Sequence, residues 1–251
     1  MKAVIIGGSG LIGKKLAALL EQAGHQVTAA SPSTGVNAVT GEGLAQALAG
    51  AEVVIDVSNS PSFEDEAVMQ FFRASTQNLL AAELAAGVRH HVALSVVGSE
   101  RLPESGYFRA KVAQEAIIKG SAVPYTIVRA TQFFEFLSSI AHVSSQGQTV
   151  RVSSARLQPM AAADVAEALS RIATEAPRNG TCEIAGPDSL GLDELMRLTL
   201  RASRDPREVV RDDEALYFGT RLDDASLTPG PGARIGTTTL QSWLATSATR
   251  S

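Results

Sequence analysis

The sequence predicts an α/β fold, a doubly wound parallel sheet with a small C-terminal lobe, and three observations carry that reading. Short apolar, β-branched runs alternate with longer helical patterns through the first half of the chain. Those runs are apolar almost throughout, as strands buried on both faces require. A glycine-rich turn follows the first run directly and opens the first helix.

The strands are expected at 3–6, 26–30, 53–57, 91–95 and 125–129, with helices at 11–23, 43–48, 65–86 and 107–119 between them. Gly24 and Gly87 stand where the first and third helices should stop. Ser62 with Asp65, and Asp164 with Glu167, have capping-box spacing. Beyond residue 132 the alternation loosens into a helix at 133–144, a strand at 149–152, a helix at 164–173 and a strand at 181–185. A helix at 192–202, a strand at 208–211 and a last helix at 238–245 carrying Trp243 complete the pattern. The whole chain, 1–251, is expected to be one domain, its lobe built mainly from 133–160 and 186–251.

At 251 residues the chain buries a sizeable core without a disulfide or metal staple. A net charge of −4 gives no electrostatic footprint for nucleic acid. No apolar stretch approaches the roughly 20 residues that cross a bilayer, so no membrane partner is expected. A single cysteine, Cys182, fits a reducing cytoplasm and reads as packing. The histidines His25, His90, His91 and His142 have no metal-ligand spacing, so no metal is expected.

The turn reads Gly7-Gly8-Ser9-Gly10-Leu11-Ile12-Gly13, glycines at every third position. Between a strand and a helix, such a turn reverses the chain tightly and lets backbone approach a pyrophosphate, whose charge the helix N-terminus favours. This is the dinucleotide-binding turn of a Rossmann fold, and Gly7, Ser9, Gly10, Leu11, Ile12 and Gly13 are its expected contacts. The second strand then runs into Ser31-Pro32-Ser33-Thr34 with no carboxylate to bond a ribose 2′-hydroxyl or repel a 2′-phosphate. The hydroxyls of Ser31, Ser33 and Thr34 are potential donors, and NADP(H) is expected over NAD(H). Asp56-Val57-Ser58 should pass under the adenosine and pyrophosphate, and Ala130-Thr131 should flank the nicotinamide. Phe133 is the aromatic residue placed in a substrate cavity.

Three segments together, GGSGLIG at the start, YFRAK from Tyr107 to Lys111, and VRATQFFEF after the next strand, resemble the NmrA-like, atypical branch of the short-chain dehydrogenase/reductases. Tyr107 and Lys111 lie four apart, on one helical face. The resemblance implies that Tyr107 donates a proton to a carbonyl oxygen as hydride arrives. Lys111 would lower the Tyr107 pKa and hold the nicotinamide ribose, and Ser95 would bond the carbonyl. A small-molecule substrate is the expected partner, and the oligomeric state, a homodimer included, is left open. The enzyme reading leads because the Tyr/Lys pair is present. The alternatives are a non-catalytic NADP(H) sensor of the NmrA type and an epimerase or isomerase using tightly held NAD.

Overall fold

The computed structural model describes Met1–Ala248. Its strands are β1 (Lys2–Ile6), β2 (Gln26–Ala30), β3 (Val53–Asp56), β4 (His90–Val96), β5 (Tyr125–Ala130), β6 (Ser145–Gln146), β7 (Thr149–Val152), β8 (Arg156–Leu157), β9 (Gly180–Ala185), β10 (Leu190–Gly191), β11 (Glu208–Arg211) and β12 (Arg234–Ile235). Its helices are α1 (Leu11–Gln22), α2 (Leu44–Leu48), α3 (Asp65–Ala86), α4 (Gly106–Lys119), α5 (Leu137–Val143), α6 (Ala162–Thr174), α7 (Leu192–Ala202) and α8 (Leu240–Ala248). None of these is long and apolar enough to cross a membrane.

Seven strands form one sheet in the order β12-β9-β5-β4-β3-β1-β2, and β1 runs parallel to both β2 and β3. The chain therefore leaves β1 for β2 on one side and later returns to β3 on the other. That reversal opens a crevice at the carboxyl end of β1, where folds of this kind bind ligands. The last four residues of β1 are buried, and two of them, Val4 and Ile6, pack with Ala30, Leu44, Leu48, Val54 and Leu79 in part of the core. A second cluster joins Leu80, Ala93, Ile118, Val123 and Ile127, which ties α3 and α4 to β4 and β5.

The chain divides into two compact units, one of Met1–Arg129 with Val165–Cys182, the other of Ala130–Asp164 with the chain from Glu183 on. In the second unit β7 pairs in parallel with β11 and antiparallel with β6. The expected helix at 133–144 is a 3₁₀ turn over Phe134–Phe136 followed by α5, and the buried Phe134 ring packs on Trp243 at 5.6 Å.

Both expected capping boxes are corrected. The N-cap of α3 is Glu64 without a side-chain cap, and the Ser62 hydroxyl accepts from the Glu64 N–H at 3.2 Å. Asp164 lies inside α6, where its carboxylate accepts from the Thr238 N–H and hydroxyl at 2.9 and 2.7 Å. Glu135, distant in sequence, caps the α6 start by accepting from the Ala162 N–H. A capping box is a local pattern, and here a tertiary carboxylate supplies the acceptor instead.

His90 and His91 start β4 inside the core. His90 Nε2 lies 2.9 Å from the Thr126 hydroxyl. Burial, reinforced by His91 and opposed by Glu175, pushes the His90 pKa down to about 4. The folded chain thus keeps His90 neutral while the unfolded chain protonates it below pH about 6.5. Stability held above that pH should fall by about 1–3 kcal/mol as the pH drops towards 4. Urea melts at pH 7 and pH 4.5 should show the loss, and His90→Gln should reduce it; equal dependence in both proteins would refute the assignment.

Candidate functional site

The glycine turn sits at the β1 crevice, with the Gly7 and Gly8 N–H groups both donating to the Ala30 carbonyl at 3.0 Å. Its glycines answer to different constraints. Gly7 has φ +81°, and a Cβ there would come within 2.9 Å of the Ser58 backbone. A Cβ on Gly13 would lie 2.3 Å from the Gly7 carbonyl oxygen, and one on Gly8 would lie 2.7 Å from Ala29. These three are required by the packing of strand, turn and helix. Gly10 is different. Its backbone is extended, it is exposed, and a Cβ would meet only the Gly7 carbonyl oxygen at 3.2 Å.

Gly10 is also the N-cap of α1 and provides no side-chain acceptor, so the first helical N–H groups face outward uncapped. Ser9 and Leu11 are exposed beside it, while Ile12 and Gly13 are buried on the sheet side. The fold leaves a backbone-lined cradle with a positive dipole end, which fits the pyrophosphate of a dinucleotide. The neighbouring wall is the β3 end: the Val57 N–H donates to Ile6 at 3.0 Å, and Asp56 Oδ1 accepts from the Ser58 N–H at 3.0 Å and its hydroxyl at 2.6 Å.

The hydroxyls after β2 serve their own turn. Pro32–Thr34 is a 3₁₀ turn in which the Thr34 hydroxyl accepts from the Ser31 N–H, and the Ser31 and Ser33 hydroxyls lie 2.8 Å apart. Ser31 is buried, whereas Ser33 and Thr34 are exposed. Asn78 of α3 fastens the following loop by donating to the Ala38 and Val39 carbonyls at 3.1 and 2.8 Å.

The α4 helix carries Tyr107 and Lys111 along α3. Tyr107 packs in an aromatic cluster with Phe63, Phe72 and Phe108. Lys111 is buried with its ammonium 4.3 Å from the Phe72 ring centroid, donating to the Leu94 carbonyl at 2.9 Å and to Gln114 Oε1. Burial lowers the Lys111 pKa to about 8, against the opposing pull of Asp56 and Glu115. Burial pushes Tyr107 up to about 12. The expected lowering of Tyr107 by Lys111 is corrected: desolvation of the phenol governs, and the ammonium is turned to Leu94 and Gln114.

Ser95 is buried, and its hydroxyl donates to Glu115 at 2.7 Å. Glu115 also takes two hydrogen bonds from the Arg129 guanidinium, at 2.8 and 2.7 Å, which hold its carboxyl below the usual value despite burial. Gln114 and Glu115 were missed in the sequence, although their spacing of three and four from Lys111 places all three on one helical face.

In the second unit Ala130 and Thr131 are buried, and the Thr131 hydroxyl donates to the Gln158 carbonyl at 2.6 Å. Phe133 is half-buried and stacks on the exposed Phe136 at 5.7 Å. Among the described residues, no three of His, Cys, Asp and Glu gather as a metal site.

The chain is 24% identical over 229 residues to the photosystem II assembly factor Ycf39 of Cyanophora paradoxa, an alignment that covers 84% of this chain and 71% of that one. In fold it is similar to MoeE5 solved with UDP-glucose and NAD, at a TM-score of 0.77 and 19% identity, covering 100% of this chain and 99% of the other. It is also similar to a short-chain dehydrogenase/reductase superfamily protein of Agrobacterium tumefaciens with bound NAD, at 0.76 and 16% over 99% and 96% of the two chains. A dTDP-4-dehydrorhamnose reductase of Bacillus anthracis in complex with NADP matches at 0.70 and 15%, over 89% of each chain. The profile of the NAD(P)H-binding family matches residues 7–176, from the first glycine of the cradle to the end of α6 and beyond. The chain belongs to that NAD(P)H-binding family, into which an NmrA-like, atypical short-chain dehydrogenase/reductase fits.

Proposed function

We propose that this chain is an NAD(P)H-dependent oxidoreductase that reduces a small carbonyl-like substrate, with Tyr107 as proton donor. The observation that carries the reading is the α4 face: a tyrosine and a buried lysine one turn apart, beside a cradle whose Gly10 meets almost no protein. A bound NADPH would supply the hydride. The Leu11 and Ile12 backbone N–H groups, next to Gly10 at the uncapped start of α1, would hold its pyrophosphate, and the Lys111 ammonium its nicotinamide ribose. Tyr107 stays protonated at neutral pH, and its phenol proton passes to the developing alkoxide, which is far more basic than a ketone.

A sensor or assembly role without turnover is the second reading. Its support is that Tyr107 lacks the activation expected of a catalytic phenol and that one relative is described as an assembly factor. NADPH absorbance followed against a panel of aldehydes and ketones separates the two. Turnover of any member supports the reductase; tight NADPH binding without turnover of any supports the sensor.

Cofactor choice follows from the turn after β2. Ser33 is the exposed hydroxyl with no backbone duty, so it is the donor left for a 2′-phosphate. We expect NADPH to bind on the order of tenfold more tightly than NADH, a modest margin for a neutral donor. Ser33→Asp should invert the order through charge repulsion. Fluorescence titrations with both nucleotides decide it, and equal affinities in the parent protein would defeat the assignment.

A further inference from the structure

We infer that Gln114 is a positioning residue for Lys111, held by Asp56, and that the pair joins the dinucleotide cradle to the lysine through one buried chain of hydrogen bonds. The inference rests on the reading of Lys111 as a functional residue. Lys111, Gln114 and Asp56 are each no more than 2% exposed. Lys111 donates to Gln114 Oε1, and Gln114 Nε2 donates to Asp56 Oδ2 at 3.1 Å. Asp56 Oδ1 receives the Ser58 N–H and hydroxyl, and the Ser58 backbone is what a Cβ on Gly7 would strike.

The chemistry fixes the orientation of the amide. An ammonium only donates and a carboxylate only accepts, so the Gln114 oxygen must face Lys111 and its nitrogen Asp56. No other side chain of this length bridges the two without adding or losing a charge. Glutamate would place a second carboxylate beside Asp56, and lysine or arginine a second cation beside Lys111. Methionine fills the space and bonds neither. The neutral amide therefore keeps Asp56 from closing a direct ion pair with Lys111. It fixes the ammonium on Leu94 and Gln114, over the face of the Phe72 ring.

The other groups facing Lys111 do not replace this link. Phe72 of α3 offers its ring face, and Tyr107 one turn back offers a ring in the same cluster. Glu115 attracts the ammonium from a distance, but its oxygens are occupied by Ser95, Lys119 and Arg129. Farther off, the buried Glu83–His91 pair, 2.8 Å apart, feels the charge of Asp56. Gln114 is thus the side chain that touches the ammonium directly, with Asp56 and Glu115 the charges that raise its pKa against burial.

The test is the Lys111 side-chain nitrogen signal in the full-length protein, followed by NMR against pH without nucleotide and assigned with Lys111→Arg. Gln114→Met removes the acceptor and should lower the Lys111 titration midpoint by about one pH unit; Gln114→Glu adds a carboxylate and should raise it. NADPH affinity at pH 8 should fall several-fold in Gln114→Met and be restored towards the parent value in Gln114→Glu. A role in packing alone would lower Tm in both variants and leave the midpoint where it was, and that result overturns the inference. Should Gln114→Met fail to fold, Gln114→Glu alone decides by the direction of its midpoint. The midpoint is read without substrate or turnover, so a chain that reduces no carbonyl would defeat the reductase proposal and leave this one standing.

Discussion

Gly10→Val should abolish dinucleotide binding while the protein stays folded. The expectation rests on the contrast between Gly10 and its neighbours. Gly13 cannot carry a Cβ, because the Gly7 carbonyl oxygen would lie 2.3 Å away and the Gly8 backbone 2.6 Å away. Gly10 has a backbone that any residue adopts, and a Cβ there would meet only the Gly7 carbonyl oxygen, at 3.2 Å. Under the proposed function the constraint on Gly10 would come from a ligand approaching the backbone, and a branched side chain would stand where the pyrophosphate needs to be. Gly10→Val should cost no more than about 1 kcal/mol of stability, the scale of an altered helix cap, and calorimetry should detect no NADPH binding. Gly13→Ala should do the reverse and lose several °C of Tm, since the clash is with backbone on both sides. Parent-like NADPH affinity in a folded Gly10→Val protein would remove the pyrophosphate from this cradle.

Tyr107→Phe should lower turnover by about 10²–10⁴, the usual worth of a positioned general acid, with cofactor affinity unchanged. The ring and its packing against Phe63, Phe72 and Phe108 survive the substitution, so the loss reports on the hydroxyl alone. The pH profile should also be informative. With Tyr107 pushed up to about 12, no tyrosine limb should appear near neutrality in kcat/KM. A fall above pH about 8 is expected instead, because the Lys111 ammonium is the charged form and is lost as the pH rises through that value. Lys111→Met should remove this limb and weaken NADPH binding at the same time. Unchanged turnover of a substrate by Tyr107→Phe would leave the sensor reading in its place.

The sheet was legible in the sequence because buried parallel strands are written as apolar runs and their ends as glycines. Residues 26–30, 65–86, 149–152, 192–202 and 208–211 carry the elements expected of them to the residue. The glycine turn was equally legible, since strand, turn and helix are consecutive. Tertiary partners were not. Glu135 caps α6 across 27 residues, and Ser95 meets Glu115 across 20, so no local spacing announces either contact. The Tyr107–Lys111 spacing correctly put the two on one helix, but spacing carries no information about burial. Phe72 and Gln114 decide where the ammonium points, and Phe72 comes from another helix.

The long helix α3 has a mechanical meaning. At about 1.5 Å per residue it is a rod of roughly 33 Å, and four of its residues are fastened to different parts of the first unit. Asp65 grips Arg109 at the start of α4, Phe72 lies under Lys111, Asn78 clasps the loop after β2, and Glu83 holds His91 in the sheet. A rod so fastened cannot shift at one end alone. A disturbance of the loop after β2 should therefore reach Phe72, the ring under the Lys111 ammonium, through Asn78 and fewer than two turns of the same helix. Substitutions near residue 38 should be judged by measurements on both the loop and Lys111.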